Sequence, residues 1–421
     1  MENKLKIGII GLGTVGCGVV KVLEQFKDIE IIGAAVKNMS KSRGVEVNYI
    51  TDNVYDLINN PEINLIVEVA GGCGMLEPLK TAIKNKKHIV TANKELLARH
   101  GAELFDLAKE YNTIILYEAA VAGGIPIIMP IKTSLLANKF SSVAGILNGT
   151  TNYILTKMEE DNLSYDECLK KAQELGFAET DPTGDVEGYD AMYKIAILAN
   201  IVFNKRIDVN KIYREGITNI SALDMQIADE LGYKIKLIAQ GKKHKLNDDN
   251  SLDIRVHPML VSKKHQLSEI KNSLNAVSLI GFPVDEVVFV GRGAGEFPTA
   301  SSVVGDILNI KEEINRGFNI LPLTKCKHSE YANQINIEET LNCYYIRLNS
   351  PNEPGSIGKI GTCCGNHEIN LSCIIQRGLN SDGNATIIVL TEIACEKNIN
   401  DMIKDLEANS DIKIVNKIRV M

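Results

Sequence analysis

Short apolar runs and amphipathic stretches alternate along the first third of the chain. Strands that alternate with helices in this way are typical of a parallel, doubly wound sheet. The pattern therefore predicts an α/β domain over residues 1–130. Its predicted strands lie at 6–10, 29–36, 65–69, 88–91 and 113–117, and its predicted helices lie at about 77–86 and 95–110.

The pattern changes near residue 130 and predicts a second, α+β domain over 131–298. A helix at about 299–313 is expected to return to the first domain, which is completed over about 299–320. The predicted helices of the second domain lie at 151–160, 164–175, 189–203 and 221–240, and its predicted strands lie at 141–148, 251–261, 274–280 and 285–291.

The last quarter of the chain shows a new pattern. Residues 321–340 are polar and are interpreted as a linker. From residue 341 the order is strand, Pro-Gly turn, helix, strand, strand, helix and strand. This βαββαβ order predicts a ferredoxin-like domain over 341–421.

Composition narrows the functional class. The chain has 421 residues, of which 45% are hydrophobic and 24% charged, as in globular proteins of two or three domains. A net charge of −7 gives no basic surface for nucleic acid, and no run reaches the roughly 18 apolar residues of a membrane span. The N-terminus enters a strand directly and leaves no room for a signal peptide, so we expect a cytoplasmic protein.

Cysteine and histidine usage suggests neither disulfides nor zinc. Nine cysteines are scattered along the chain, and Cys363 and Cys364 are neighbours without metal-ligand spacing. We expect reduced thiols with structural roles. The seven histidines form no HExxH motif or paired cluster, so their spacing predicts no zinc site.

A glycine fingerprint at 11–16, GLGTVG, follows the first strand and opens a helix. Gly11 permits the tight turn, Gly13 lets the backbone approach a pyrophosphate, and Gly16 permits close packing of helix on strand. This context predicts a dinucleotide site in a Rossmann fold. The alternative is a glycine-rich turn in another α/β protein.

The end of the second strand bears on the choice of cofactor. It carries Lys37 where a carboxylate selects NAD, and Lys41 and Arg43 follow. A lysine there removes the repulsion against a 2′-phosphate, so NADP is slightly favoured and NAD use stays open. The alternative is that Lys37 is an ordinary solvated lysine.

The richest cluster of ionisable residues lies between Glu179 and Lys194. Asp190 and Lys194 are four residues apart on one predicted helix and share a face. The alternative is a plain ion pair, but apolar residues continue this face, and burial lowers the pKa of a lysine into the range of proton transfer. The cluster suggests a pocket for a small cationic substrate. Its carboxylates are Glu179, Asp181, Asp185, Glu187 and Asp190.

Two further segments lie where ligands bind in such sheets. Lys94, in TANK at 91–94, follows a predicted strand end, although a surface lysine at a helix start would look the same. Glycine-rich turns at 118–126 and 291–299 permit close approach of backbone to a ligand or ion.

Together these residues resemble the homoserine dehydrogenase family, in its monofunctional form with a C-terminal ACT domain. The matching segments run in order over nearly the whole chain, and the fourth and fifth are highly specific. They are GLGTVG at 11–16, TANK at 91–94, EAAVAGGIPII at 118–128, GILNGTTNYIL at 145–155, LGFAETDPTGDVEGYDAMYK at 175–194 and GRGAGEFPTASSVVGDI at 291–307.

The resemblance implies reversible NAD(P)-dependent conversion of L-homoserine to L-aspartate 4-semialdehyde, on the route to threonine, methionine and isoleucine. It implies that Lys194 and Lys94 are catalytic, with Lys194 as the main acid or base. It also implies that Glu179, Asp185 and Asp190 bind substrate. The implied cofactor contacts are Gly11, Gly13, Thr14, Val15, Gly16, Lys37, Thr91, Lys94 and Gly295.

The resemblance further implies an ion site and an effector site. A structural sodium-type ion would sit on the main-chain carbonyls of Glu118, Val121, Gly123 and Ile125. The ACT resemblance implies threonine as effector and a homodimer or homotetramer; the alternative is a dimerisation domain without ligand. The candidate effector contacts are Asn352, Gly355, Ile357 and Asn370.

Two rival functions can be distinguished by assay. Another dehydrogenase with an ACT domain would fail to oxidise homoserine, and the 175–194 segment argues against it. An amino-acid sensor that holds nucleotide for structure would bind homoserine or threonine without turnover, and the two lysines argue against it. No residues precede the fingerprint that would form a fused aspartate kinase.

Overall fold

The computed structural model of the protein describes residues 4–244, 251–316, 328–379, 383–409 and 411–421. The first domain is a six-stranded parallel sheet in the order β3-β2-β1-β4-β5-β6, which confirms the predicted doubly wound sheet. Its strands are β1 (Leu5–Ile10), β2 (Ile29–Ala35), β3 (Ile50–Thr51), β4 (Leu65–Glu68), β5 (His88–Thr91) and β6 (Ile115–Leu116), and its helices are α1 (Thr14–Leu23), α2 (Val54–Ile58), α3 (Leu76–Lys84) and α4 (Lys94–Glu110).

The second domain is an antiparallel sheet covered by helices. Strands follow the order β12-β11-β7-β9-β10, and α9 lies across β7, β9 and β10. The strands are β7 (Lys139–Ile146), β8 (Tyr213–Arg214), β9 (Tyr233–Lys243), β10 (Ser251–Ser262), β11 (Leu274–Phe282) and β12 (Asp285–Arg292), and the helices are α5 (Ile128–Lys132), α6 (Gly149–Asp161), α7 (Tyr165–Glu174), α8 (Thr183–Val186), α9 (Tyr189–Phe203), α10 (Ala222–Glu230) and α11 (Glu296–Asn315).

One helix prediction in this domain is correct in its first half and wrong in its second half. The helix expected at 221–240 ends at Glu230, and residues 233–243 form β9. Gly232, with a φ of 84°, terminates the helix. After it, lysines and apolar residues alternate over residues 233–237 with the period of two that a strand requires.

Helix α11 returns to the first domain. Buried residues of α11, among them Ala300, Val303 and Ile307, share one apolar cluster with Val19 and Val20 of α1. A salt bridge of 2.7 Å joins Lys21, in the last turn of α1, to Glu296, the first residue of α11. The residues just before α11, Gly293 to Gly295, line the same cleft as Thr14 and Val15 at the start of α1.

The C-terminal part has the βαββαβ order that the sequence predicts, in an antiparallel sheet ordered β18-β14-β16-β15. This sheet continues that of the second domain, because β18 pairs in parallel with β10. The elements are β14 (Leu341–Pro351), α12 (Ser356–Asn366), β15 (Leu371–Leu379), β16 (Asn384–Thr391), β17 (Ala394–Cys395), α13 (Glu396–Asn409) and β18 (Lys413–Val420), preceded by the short strand β13 (Asn333–Gln334).

The segment interpreted as a linker contacts the second domain where it is described. Residues 321–327 lie outside the described residues. Of the remainder, β13 pairs with β10, and Tyr331 forms a bridge with Arg206. No helix in the described parts of the chain is long and apolar enough to cross a membrane.

The contact between helices α4 and α9 joins the first two domains beside the candidate site. The guanidinium of Arg99 on α4 donates a hydrogen bond of 2.8 Å to the hydroxyl of Tyr193 on α9. Since Lys94 opens α4 and Asp190 lies in the first turn of α9, the contact brings these two residues together.

Candidate active site

The turn between β1 and α1 offers a free helix N-terminus at the carboxyl edge of the sheet. Gly11 has a φ of 102°, and a Cβ there would lie 2.8 Å from the main-chain nitrogen of Ala70. A Cβ on Gly16 would lie 2.0 Å from the carbonyl oxygen of Gly11. The space around Gly13, the N-cap of α1, is open within 4 Å. Such an uncovered N-terminus suits a phosphate.

Buried polar contacts fix the ends of β4 and β5 below this turn. The Glu68 carboxylate accepts hydrogen bonds from the nitrogen of Gly71 at 2.8 Å and from the hydroxyl of Thr91 at 2.6 Å. Burial raises the pKa of Glu68 despite these donors. Thr91 is fully buried, and its side chain is thus engaged with Glu68 beneath the cleft.

Helix α4 begins at Lys94 because Asn93 caps it. The Asn93 side chain accepts a hydrogen bond from the nitrogen of Leu96 at 3.1 Å and donates one to the carbonyl of Gly72 at 2.9 Å. The cap holds Lys94 at the edge of the cleft with a side chain that is 41% exposed.

Two lysines from different domains share the carboxylate of Asp190. Lys194, one turn along α9, donates to Asp190 Oδ2 at 2.6 Å and to the carbonyl of Leu147 at 2.7 Å. Lys94 forms a salt bridge with the other oxygen, Oδ1. Both Asp190 and Lys194 are buried, so the interaction is screened little by solvent.

This arrangement moves the pKa values of the two lysines in opposite directions. Burial lowers the pKa of Lys194, and the attraction of Asp190 only partly offsets that effect. The charge of Asp190 raises the pKa of the more exposed Lys94. Burial disfavours the Asp190 carboxylate, but Lys194 and Lys94 together hold its pKa below the usual range. Loss of a proton is thus easier for Lys194 than for an exposed lysine, whereas Lys94 is stabilised in its charged form.

Asn148 is a site residue that the reasoning from individual residues missed. Its amide nitrogen donates to Asp185 Oδ1 at 2.7 Å and to Asp190 Oδ2 at 2.9 Å. Its amide oxygen caps α6 by accepting from the nitrogen of Thr151 at 2.8 Å. Asn148 thereby holds two carboxylates beside each other, and burial together with Asp190 raises the pKa of Asp185. An Asn before a helical run is an N-cap signal, which could have drawn attention to it.

One cleft of about 640 Å³ joins these features. It runs from the turn at Thr14 and Val15, past Lys94, to the acidic cluster, and Gly295 lines its other wall. Phe177, Ser273 and Arg292 also line it and were not among the predicted site residues, although Phe177 and Arg292 lie within the segments 175–194 and 291–307. The full lining is Thr14, Val15, Val69, Ala70, Gly71, Ala92, Lys94, Ala119, Ala120, Gly123, Asn148, Gly149, Thr150, Gly176, Phe177, Asp185, Asp190, Lys194, Ser273, Arg292, Gly293, Ala294, Gly295 and Thr299.

Several candidate residues lie beside the cleft rather than on its wall. Lys37 is exposed just beyond β2, and Glu179 is exposed on the loop before α8. Glu179 is still near enough to contribute to the raised pKa of Lys94. Gly11, Gly13 and Gly16 shape the turn from behind Thr14 and Val15.

The loop implied to hold an ion is tightly packed. The carboxylate of buried Glu118 accepts hydrogen bonds from the nitrogens of Ile127, Ile128 and Met129 at 2.5–2.7 Å. A Cβ on Gly123 would lie 2.4 Å from the carbonyl oxygen of Gly293. The Glu118 side chain therefore caps α5 and leaves its main-chain carbonyl, with those of Val121, Gly123 and Ile125, as the candidate ion ligands.

The candidate effector residues surround the start of α12. Gly355 is its N-cap with a φ of 95°, and Ile357 in its first turn is 41% exposed. The Asn352 side chain accepts a hydrogen bond from Gln376 of β15 at 3.1 Å, and Asn370 precedes the same strand. The four residues therefore lie around one turn and the edge of one strand.

Two models of a known protein family match this chain, and each covers most of one of its first two domains. A family model described as "Homoserine dehydrogenase, NAD binding domain" matches residues 11–118, and one described as "Homoserine dehydrogenase" matches residues 126–308. The homoserine dehydrogenase of Synechocystis sp. is 41% identical over 99% of this chain and 99% of its own length.

Solved structures of homoserine dehydrogenases are also similar to this chain. A homoserine dehydrogenase from Thiobacillus denitrificans is similar with a TM-score of 0.94 and 34% identity, covering 99% of this chain and 98% of that chain. A hyperthermophilic archaeal homoserine dehydrogenase in complex with NADPH has a TM-score of 0.64 and 26% identity, covering 74% of this chain and 98% of that one. The similarity extends over nearly the full length of the relatives, so this chain belongs to the homoserine dehydrogenase family of oxidoreductases.

Proposed function

We propose that this chain catalyses the reversible oxidation of L-homoserine to L-aspartate 4-semialdehyde with Lys194 as the acid and base. The observation that carries the proposal is the placement of Lys94, Asp190 and Lys194 in the cleft that runs from the turn before α1 to the acidic cluster. Residues 1–130 with α11 would hold the cofactor, 131–298 the substrate, and 341–421 an effector.

In the proposed mechanism, nicotinamide supplies the hydride acceptor or donor. Lys194 takes the hydroxyl proton of homoserine during oxidation and returns it during reduction, for which its lowered pKa is suited. Lys94, which stays charged beside Asp190, stabilises negative charge that develops on the substrate oxygen. Asp190 aligns both ammonium groups.

The substrate ammonium group is assigned to the acidic side of the cleft. Asp185 lines the cleft, and Asn148 holds it beside Asp190. Glu179, on the loop that precedes Asp185, adds a second carboxylate. Two carboxylates at this end match an amino acid better than a neutral alcohol, which supports homoserine as the substrate.

We assign a slight preference for NADP over NAD. Lys37 and Lys41 are exposed beyond β2, and Arg43 donates a hydrogen bond to the carbonyl of Lys41 at 2.6 Å. The thiol of Cys17 on α1 contacts the carbonyl of Arg43 at 3.4 Å, so this cationic loop lies against the helix that receives the phosphates. The relative in complex with NADPH supports use of the phosphorylated cofactor.

The C-terminal domain is proposed to be an ACT domain that binds threonine as feedback inhibitor of the aspartate route to threonine, methionine and isoleucine. The βαββαβ order and the exposed turn at Asn352, Gly355, Ile357 and Asn370 support this. A sodium-type ion on the carbonyls of Glu118, Val121, Gly123 and Ile125, and a homodimer or homotetramer, are proposed alongside it. The Gly123 carbonyl already accepts a hydrogen bond of 2.7 Å from Ser302, so the hydroxyl would share that carbonyl with the ion.

An initial-rate assay of homoserine oxidation tests the whole proposal. We expect turnover with NADP and slower turnover with NAD, and inhibition by threonine in both. Homoserine binding without reduction of either cofactor would overturn the catalytic assignment in favour of an amino-acid sensor. Turnover that threonine does not inhibit would support the catalytic assignment and contradict the proposed effector role of the C-terminal domain.

A further inference from the structure

Three metal-ligating side chains meet between the two helices of the C-terminal domain. Cys363 and His367 lie one turn apart at the C-terminal end of α12, and Asp405 faces them from α13. Their donor atoms all lie within 4.8 Å of one another. The cluster shares no residue with the lining of the cleft and includes none of the candidate effector residues.

Two of the three distances between the donor atoms match a tetrahedral metal centre. His367 Nε2 lies 3.3 Å from Asp405 Oδ2, and Cys363 Sγ lies 3.6 Å from the same oxygen. Metal–ligand bonds of about 2.3 Å to sulfur and about 2.0 Å to nitrogen or oxygen place tetrahedral ligands about 3.3 Å apart for N and O and about 3.5 Å apart for S and O. Both observed edges agree with these values.

The surroundings also fit a metal site. Cys363 is buried, whereas the side chains of His367 and Asp405 are 24% and 42% exposed, so an ion has a path from solvent. A thiolate, an imidazole and a carboxylate are the three donor types that Zn²⁺ binds in proteins, and with three protein ligands a water completes the tetrahedron.

We propose that Cys363, His367 and Asp405 form a binding site for Zn²⁺ that fastens α12 to α13. The ion replaces the hydrogen bonds that the thiol makes with Asp405 and with the carbonyl of Met402, and the one between the imidazole and Asp405. Binding releases the proton of the Cys363 thiol to solvent, so the affinity increases with pH.

Cobalt provides a direct test, because a thiolate bound to Co²⁺ gives a charge-transfer absorption band in the near ultraviolet. The full-length chain, reduced and stripped with chelator, is titrated with Co²⁺ and then with Zn²⁺. We expect one Co²⁺ per chain, with the band bleached by stoichiometric Zn²⁺. A wild-type chain that gives no band has only an ordinary hydrogen-bonded cluster, and this result overturns the proposal.

Variants locate the site. Cys363→Ser is expected to abolish the band. Asp405→Asn is expected to weaken the binding of Co²⁺ by at least about tenfold, because even the loss of a residue that only supports the metal ligands has an effect of this size. Cys373→Ser on β15 is the matched control, because it removes a thiol outside the cluster and retains the band. A band that persists in Cys363→Ser assigns the metal to another cysteine and overturns the proposal. Asp405 is partly exposed, so its variant remains informative if Cys363→Ser fails to fold.

Discussion

The ammonium group of Lys194 donates a hydrogen bond of 2.6 Å to the carboxylate of Asp190, one turn earlier on α9. An exposed pair at similar spacing, such as Lys404 with Asp401, contributes only a few tenths of a kcal/mol. The pair on α9 differs because it is buried and because Lys94 approaches Asp190 from another domain. It is therefore not a plain surface ion pair, and the burial of its lysine fits a role in proton transfer.

Lys194→Ala is expected to lower kcat for homoserine oxidation roughly a hundredfold to ten-thousandfold, the usual contribution of a general acid or base. The KM for homoserine should change far less, because carboxylates hold the ammonium group. Steady-state kinetics measures both. Lys236→Met is the matched control: Lys236 is equally buried and donates to the carbonyl of Ile270 at 2.7 Å, so its loss lowers stability by about 1–3 kcal/mol without lowering kcat. Wild-type turnover in Lys194→Ala would exclude the assigned role.

The pH dependence of the reaction should report the lowered pKa of Lys194. Homoserine oxidation requires the neutral amine, so kcat/KM should rise with pH through a midpoint below 10.5, and the reverse reaction should fall through the same midpoint. Asp190→Asn removes a carboxylate that raises the pKa of Lys194, so the midpoint should move to lower pH. A midpoint that stays in place or moves upward would contradict the assignment.

Asn148→Ala is expected to raise the KM for homoserine more than it lowers kcat. The variant removes the amide that holds Asp185 beside Asp190, and it also removes the cap of α6 at a cost of about 1 kcal/mol. Ser164→Ala is the matched control, because it removes the cap of α7 away from the cleft. Equal changes in KM and kcat in the two variants would show that Asn148 acts only as a helix cap.

Lys37→Glu is expected to reduce kcat/KM with NADP much more than with NAD. A carboxylate at the end of β2 repels a 2′-phosphate and accepts hydrogen bonds from an unmodified ribose. Lys27→Glu, an equal change of charge on an exposed loop before β2, controls for the overall electrostatic field. An equal loss of kcat/KM with both cofactors would show that Lys37 does not select between NADP and NAD.

Asp224→Asn is expected to destabilise the contact between the second and C-terminal domains by about 3–5 kcal/mol, because it leaves a buried guanidinium without its counter-charge. Asp224 is fully buried and accepts hydrogen bonds from Arg347 at 2.7 Å, Tyr345 at 3.0 Å and Asn416 at 3.0 Å. Denaturant titration measures the change, and Glu62→Gln, which breaks the exposed pair with Lys6, is the control and should have almost no effect.

The same carboxylate predicts how stability responds to acid. Burial disfavours the charged form of Asp224, but Arg347, Asn416 and Ser221 lower its pKa below 3.8. Its contribution is therefore fully present above about pH 3.8 and is lost as the pH falls through the lower folded value. A wild-type chain that loses stability in this range while Asp224→Asn does not would support the assignment.

Local patterns predicted most elements of the fold because they depend on neighbouring residues. The fingerprint at 11–16 and the helix that carries Asp190 and Lys194 follow from glycine placement and from a period of 3.6 residues. The segment 233–243 was misassigned because the alternation that indicates a strand covers only residues 233–237. That Lys236 is buried there depends on Asn152 and Ile270, which no local pattern contains.

The sequence by itself determined the dinucleotide turn, the shared face of Asp190 and Lys194, and the family resemblance, since each rests on residues close together in the chain. Only the tertiary structure decided that Lys94 meets Asp190, that Asn148 joins two carboxylates, and that Asp405 meets His367, 38 residues away. Those contacts depend on how α4 packs on α9 and α12 on α13. Packing between distant segments is set by the whole core, and it determines which charges are buried and which pKa values move.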